Sequence, residues 1–500
     1  MITFTFALIT LLLGYLIYGA VVDKVFTPKD HTSSMPCYTK RDGVDYIPIS
    51  PWRVFLIQFL NIAGTGPIFG AILGILFGPA AYLWIVFGCI FAGAVHDYMC
   101  GMICVRKGGV SLPEMIGDEL GMSMRILMRL CSLILLVLVG TVFIVTPAAL
   151  LDNMITDQGW LWSKWFWVIV ILFYFLIATF LPIDKLIGKI YPLFGFALLV
   201  MALGIGWHIY TAQGWMPEIT DHPFVTHHPK GLAIFPILCI TIACGAISGF
   251  HGTQSPLMSR CLTNERYGRP IFYGSMITEG VVALIWAAAT IKFASTLPGE
   301  AGATAYEKLA SMGNPAIVVN AVSTNWMGAV GAVLAVLGVV AAPITSGDTA
   351  FRSARLIAAD FLHMGQKKVW SRLVLCLPLF AIATLLMFID FNVLWRYFAW
   401  FNQTLACITL WASTVWLARK RKVYWICLLP AMFMSVVCTS YIIGAPEGFS
   451  NILYKLGLEA SDIHHFGLIA GIVVMVCCTG GFFIWKNKNS NQYNLNCRRS

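Results

Sequence analysis

Charge is what this sequence has least of. Of its 500 residues only 11% are Asp, Glu, Lys or Arg, less than half the roughly 25% typical of soluble domains. So few ions cannot cover a water-facing surface, which excludes a soluble enzyme, an intrinsically disordered chain and a secreted disulfide scaffold. Several chemical signatures are missing as well. There is no HExxH zinc motif, no GxSG serine and no close pair of catalytic aspartates, which argues against an intramembrane enzyme. The GxxxxGK[ST] phosphate loop is absent, so ATP-driven pumping by this chain alone is not expected. No CxxC pair occurs among the 15 cysteines, most of which fall inside apolar runs, where small polarizable core residues are the simplest reading and no metal site is expected.

What remains is abundant apolar sequence. Hydrophobic residues make up 59% of the chain and the mean hydropathy is +0.79. An all-α polytopic membrane protein follows. Runs long enough to cross about 30 Å of hydrocarbon occur at 2–22, 53–78, 81–105, 125–151, 163–182, 190–211, 230–257, 269–296, 324–347, 371–390, 392–418, 423–444 and 463–485, thirteen in all. If the ninth continues past Pro343 towards Leu362, Thr345 to Thr349 lie deeper than those limits imply. The first run has no basic residues before it and no clear cleavage site, so a retained helix is expected rather than a signal peptide.

Charge placement orients the chain. With the N-terminus outside, 27 of the 33 basic residues fall on the inner side, and only Lys164, Lys230, Lys292, Lys308, Arg396 and Lys455 lie on or near the outer one. One span more or fewer would destroy this asymmetry, so thirteen spans with N-out and C-in are expected. Topology and anionic lipid account for the net charge of +10, and no nucleic-acid partner is implied.

Two spans contain sequence that resists a continuous helix. The second carries Asn61-Ile62-Ala63-Gly64-Thr65-Gly66-Pro67. The seventh carries Gly245, Ser248, Gly249, His251, Gly252, Thr253, Gln254 and Ser255 before Pro256. Glycine weakens a helix and proline removes a donor, and unwound backbone is tolerated at membrane depth only where it is buried or lines a cavity. The competing reading is close helix packing through glycine. The breaks open spans five apart, an odd number, so they enter the membrane from opposite sides. Two inverted five-helix repeats, each opening with a broken helix, give a known transporter plan with a midplane site.

Ionisable groups inside spans give a second signal, since a charge at the bilayer centre costs about 2.5–3.5 kcal/mol and usually marks function. His96 and Asp97 lie in the third span, Glu279 in the eighth, and Asp348 at the end of the ninth; Asn402 and Gln403 lie in the eleventh. Neighbours in a helix point about 100° apart, so His96 and Asp97 are not expected to share a face. Thr345, Ser346 and Thr349 offer oxygens for a hard cation such as sodium, or simply cap their own helix carbonyls. His227 and His228 fall in an outer loop and read as solvated.

These same segments resemble the carbon starvation protein A family of bacterial inner-membrane transporters. The likeness rests on NIAGTGPIFGAILG (61–74), GAVHDY (93–98), VRKGG (105–109), DKLIGKIYPLFG (184–195), SGFHGTQSPLMSR (248–260), TEG (278–280), APITSGDTAFRSARL (342–356) and FAWFNQ (398–403). It implies a fold like that of the amino acid–polyamine–organocation superfamily, leucine-transporter-like, and import of peptides or pyruvate during carbon starvation. A half-helix N-terminus suits a small anion, and Asp97 or Glu279 suits the amine of a peptide.

The expected organisation is an N-terminal helix and inner loop (1–52), a first repeat (53–211), a second inverted repeat (212–418), two further spans (419–485) and an inner tail (486–500). The expected activity is secondary transport by alternating access, with no cofactor, and with a proton or else sodium as coupling ion. Substrate contacts fall on Asn61, Gly64, Thr65, Gly66, Ser248, His251, Gly252, Thr253, Gln254, Asn402 and Gln403. Ion coupling falls on His96, Asp97, Glu279, Thr345, Ser346, Asp348 and Thr349. The bilayer and the small-molecule or peptide substrate are the partners implied. The chief alternatives are a nutrient sensor on a transporter fold, which would normally append a signalling domain, and a channel.

Overall fold

The computed structural model describes residues 1–30, 34–154, 163–180, 183–366 and 368–499, with backbone alone at 153–154, 179–180, 183–190, 391–392 and 490–499. Lys367, counted with the inner basic residues, lies outside the described residues, as do the side chains of Lys185, Lys189, Arg498 and Arg499. Among the described residues every regular element is helical.

Nine of these helices are long and apolar enough to cross a membrane: Ile2–Phe26, Ala80–Arg106, Met122–Asp152, Tyr191–Thr211, Glu265–Thr296, Pro315–Leu362, Val369–Leu386, Trp425–Gly444 and Ala460–Asn489. Pro51–Ile62 and Gly66–Phe77, bent by 46° about a short gap, make a tenth if taken as one. Three expected runs fall outside this count among the described residues. The run at 163–182 is helical from Lys164 to Phe180, and its last two residues lie outside the described residues. The run at 230–257 is divided into Ile237–Thr241 and Gly249–Ser259. The run at 392–418 is the Phe391–Arg419 helix, which carries Asn402, Gln403 and Thr404 at its middle. The ninth run is longer than 324–347. It reaches Leu362, with a kink where Gly328 takes a φ of +58°, so Asp348 sits in the body of the Ala341–Leu362 helix and not at its end.

Helix Glu265–Thr296 is the centre of the molecule, with 89% of its apolar window buried, whereas Ile2–Phe26 at 28% and Ala460–Asn489 at 17% lie at the periphery. The two broken helices pack beside that centre through small residues. Gly66, Gly70 and Gly74 recur every fourth residue and so form one face of the Gly66–Gly74 helix. A Cβ at Gly66 would collide with Cys244, one at Gly70 would stand 3.0 Å from the Thr241 carbonyl, and one at Gly74 would collide with Ile242. The glycine-packing reading and the broken-helix reading thus hold together, because the glycines of one break seat the unwound backbone of the other.

The end expected to face inside is tied across by ion pairs. Arg106 meets Glu265 at 3.0 Å, Lys107 meets Asp118 at 2.9 Å and Glu119 at 2.8 Å, and Arg125 meets Asp118 at 2.6 Å. Desolvation works against the Lys107 ammonium, but hydrogen bonds to Glu119 and Asp118 outweigh it and hold its pKa above the ordinary lysine value. The linker after the first helix takes part: Asp45 faces Arg352 at 3.6 Å, and the Ile49 amide donates to the Cys261 carbonyl at 3.2 Å.

Candidate functional site at the two helix breaks

The first break is three residues long. Helix Pro51–Ile62 ends at Ala63, and the chain resumes as helix at Gly66. Pro67 occupies the first turn of the new helix, where no donor is needed, so proline here starts a helix and does not interrupt one. Both amide atoms of Asn61 and the hydroxyl of Thr65 are buried with no hydrogen-bond partner. Leaving each such group unpaired costs about 1–3 kcal/mol, which points to something that meets them in use.

The second break differs from the expectation. Its unwound stretch is Ile242–Ser248, and His251, Gly252, Thr253, Gln254, Ser255 and Pro256 all lie within the Gly249–Ser259 helix. Pro256 is tolerated because the carbonyl it leaves free, that of Gly252, accepts from the Cys100 thiol at 3.3 Å. Asn402 caps the new helix: its Oδ1 accepts from the Phe250 amide at 2.6 Å and from the Ser248 hydroxyl at 3.1 Å. That placement makes Asn402, expected from the sequence to contact substrate, a partner of the Phe250 amide and the Ser248 hydroxyl.

Capping places His251 one turn inside the second half-helix, between two carboxylates. Its Nδ1 lies 2.9 Å from Asp97 Oδ2 and its Nε2 lies 3.3 Å from Glu279 Oε2. Asp97 Oδ1 in turn lies 2.8 Å from His96 Nδ1. All four side chains are fully buried. His96 and Asp97 therefore do meet, contrary to the divergence expected of helix neighbours. A carboxylate has two oxygens, and the imidazole is long enough to turn back onto one while the other faces His251. The segment just before them, Trp84–Gly93, is wound as a wide π-helix, a feature that often accompanies functional positions. Gly252 lets the His96 ring close in, since a Cβ there would sit 3.2 Å from it.

Other candidates lie apart from this chain of four. Thr253 donates to the Phe250 carbonyl, and Gln254 Nε2 donates to Thr253 at 2.9 Å and towards Ser353 at 3.5 Å. Gln403 Nε2 donates to the Cys239 carbonyl at 3.0 Å. Thr345 and Thr349 donate to carbonyls of their own helix, at Ala342 and Ser346. Ser346 instead crosses to the first break and donates to the Leu60 carbonyl at 2.9 Å. Asp348 accepts from Tyr191 at 2.8 Å. Gly64 lies against the Phe143 ring.

Sequence reasoning missed several neighbours. Cys244 reads from the sequence as an ordinary core cysteine, yet its sulfur lies with His251 and Glu279 in a set whose ligand atoms are all within 4.8 Å of one another. Gln58 donates to Ser255 at 3.3 Å and so links the two broken helices. Both stand within a few residues of a break, a signal that was available. Tyr191 gave none. His227 and His228 also differ from expectation: His227 stacks on Tyr306 at 4.9 Å between ring centroids, and His228 packs on Phe77 at 4.8 Å.

A cavity of about 380 Å³ opens beside the first half-helix, lined by Phe69, Leu73, Thr146, Lys164, Asn314 and Trp395 among others. Phe69 and Leu73 are about one and two turns beyond the break, so the cavity lies along the first half-helix on the far side of the break from Asn61.

Fold and site together define a multi-pass helical membrane protein built around paired broken helices. The chain belongs to the carbon starvation protein CstA family, whose model matches residues 1–157, 141–300 and 293–441. It is 43% identical over 342 residues to a membrane protein of Haemophilus influenzae, across 59% of this chain and 91% of that one. It is 27% identical to the peptide transporter CstA of Escherichia coli over 334 residues, which is 55% of this chain and 47% of the relative. The pyruvate/proton symporter BtsT of the same organism is also 27% identical, over 55% of this chain and 46% of its own length. The matches thus span about half the length of these two named transporters. A solved manganese transporter of Eremococcus coleocola superposes with a TM-score of 0.49 at 12% identity, over 91% of this chain and 99% of its own.

Proposed function

We propose that this chain is a secondary transporter that imports a small carboxylate-bearing nutrient, a peptide or pyruvate, by alternating access across a bacterial inner membrane. The substrate carboxylate is taken to sit at the first break, where Asn61 and Thr65 hold unpartnered polar atoms beside the positive end of the Gly66–Gly74 helix. The chain His96–Asp97–His251–Glu279 is taken to carry a coupling proton, with no enzymatic step. The names of the related transporters support the class of substrate. Thirteen spans, ten of them forming two inverted five-helix repeats, with the N-terminus outside, complete the proposal.

The observation that carries it is the imidazole of His251 standing fully buried between Asp97 and Glu279, where two breaks touch. An imidazole with a carboxylate beside each nitrogen can accept a proton on one side and release it on the other. A buried ionisable set of this kind is costly in a membrane and is expected to do work. One proton crossing 100 mV supplies about 2.3 kcal/mol. At about 1.4 kcal/mol per decade, that sustains roughly fifty-fold accumulation.

A sodium-coupled reading is favoured by one contact, the Ser346 hydroxyl on the Leu60 carbonyl, which places hydroxyl and carbonyl oxygens of two helices together. Uptake of labelled pyruvate and of a labelled dipeptide into proteoliposomes, under a proton gradient and then a sodium gradient, separates these readings. Proton-driven accumulation of either substrate is the expected result. Failure of both substrates under both gradients would leave the sensor reading standing instead.

A further inference from the structure

Three potential metal ligands converge beside the second break. Cys244 lies in the unwound stretch, His251 one turn into the following half-helix, and Glu279 on the central helix, all fully enclosed. Their ligand atoms lie within 4.8 Å of one another. His251 Nε2 and both carboxylate oxygens of Glu279 are buried without a well-formed hydrogen bond, and the one close approach among them is the 3.3 Å between Nε2 and Oε2. Such orphaned groups are rare in a folded interior and call for an occupant.

Surrounding contacts prepare these atoms for an ion. Asp97 takes the other nitrogen of His251 at 2.9 Å, the carboxylate–histidine arrangement that fixes the tautomer and aims the Nε2 lone pair at a metal. Asn402 Nδ2 points at the Cys244 sulfur at 3.8 Å, a donor suited to a thiolate. The 3.3 Å between His251 Nε2 and Glu279 Oε2 is also informative. Ligands about 2.0–2.1 Å from a tetrahedral ion stand about 3.3–3.4 Å apart. A direct imidazole–carboxylate pair gives the same separation, and the metal measurement below separates the two.

We propose that Cys244, His251 and Glu279 bind one divalent transition-metal ion of the zinc class. The donor set chooses the ion. A thiolate and an imidazole disfavour magnesium and calcium, which take six or more oxygens, and favour zinc and its tetrahedral substitutes such as cobalt. Binding displaces the thiol proton of Cys244 and requires neutral His251, so ion and proton compete for the cluster. Three protein ligands leave one position of a tetrahedral ion open for a water molecule. The ion thereby bridges the unwound segment and the central helix, and its loss would free the second break to move.

This inference uses side chains of the proposed coupling site but is tested without transport. The full chain is produced in cells grown with added zinc or added cobalt, purified without chelator into lipid nanodiscs, and its metal content measured. About one ion per chain is expected. The cobalt form should show a thiolate-to-cobalt charge-transfer band together with the strong visible absorption of four-coordinate cobalt. Cys244→Ser should abolish the charge-transfer band, and both it and Glu279→Gln should lower metal content at least about tenfold. Cys376→Ser, at a buried cysteine elsewhere, should keep both. Metal-free wild-type protein from both media overturns the proposal, and so does bound cobalt without a sulfur band. If Cys244→Ser fails to fold, the wild-type cobalt spectrum decides alone. A chain that transports but binds no metal defeats only this inference, and one that binds metal but moves no substrate defeats only the transport reading.

Discussion

Gly66 lies directly against Cys244: the first residue after one helix break touches a side chain in the unwound stretch of the other. A methyl group at Gly66 has no room, because it would meet both the Cβ and the Sγ of Cys244, and that Cβ is fixed to the backbone. Gly66→Ala is expected to lower stability by about 1–3 kcal/mol through overpacking. Cys244→Gly removes the obstructing atoms, so the double variant should recover part of the loss. A thermal-denaturation cycle in nanodiscs should give a coupling of about 1–2 kcal/mol. Additive effects would mean that the two breaks do not touch.

The His251–Asp97 contact yields the most direct test of coupling. Asp97→Asn keeps the shape of the side chain and one acceptor for His251 while removing the charge. Uphill uptake should vanish, and exchange of labelled for unlabelled substrate down its own gradient should persist. Removing one partner of a buried ion pair costs about 3–5 kcal/mol, so the variant must first be shown monodisperse. Retained pH-driven accumulation would remove Asp97 from the coupling path.

Much of this arrangement is legible in the sequence, and the exceptions have physical causes. Glycine and proline at 64–67 mark the first break to within a residue, because backbone propensity governs a three-residue gap. The second break is displaced towards the N-terminus, because whether Pro256 interrupts a helix depends on a distant thiol, Cys100, that satisfies the freed carbonyl. His96, Asp97, His251 and Glu279 stand out individually as ionisable residues in apolar runs. Their union depends on which helices cross, and periodicity does not contain that. Cys244 was overlooked because cysteine is so often plain core filling.

Ser346 discriminates between coupling ions. Ser346→Ala removes the donor to the Leu60 carbonyl and leaves that carbonyl unpaired, a cost of about 1–3 kcal/mol. If the proton is the coupling ion, transport by the folded variant should keep its gradient dependence and show no sodium requirement. A sodium-coupled carrier would instead need severalfold more sodium for half-maximal uptake. Uptake measured across a sodium titration at fixed pH reads the difference.

Lys164 supplies a positive charge to the cavity beside the first half-helix. An anionic substrate approaching through that cavity would be drawn by it, and exposed charges act over about 8–10 Å at physiological salt. Lys164→Gln is expected to raise KM severalfold with kcat unchanged, and to flatten the dependence of uptake on ionic strength. A fall in kcat with KM unchanged would place Lys164 in the transport step and not in recruitment.

His228 carries a pH dependence on the side expected to face out. Its ring packs on Phe77, at the end of the first broken helix, and its Nδ1 accepts from the Lys230 amide at 3.1 Å. Burial, and then the Lys230 charge, hold its pKa below the ordinary value of 6.5. The folded loop therefore binds a proton less readily than the unfolded one. Its contribution to stability is fully present above about pH 6.5 and is lost as pH falls below that value. Protonation at Nδ1 also removes the acceptor for the Lys230 amide. Amide hydrogen exchange in 226–231 should accelerate as pH is lowered from 7.5 to 5.5, after correction for the intrinsic exchange rate, and His228→Phe should abolish the change. Equal acceleration in that variant would assign the effect to another group in the loop.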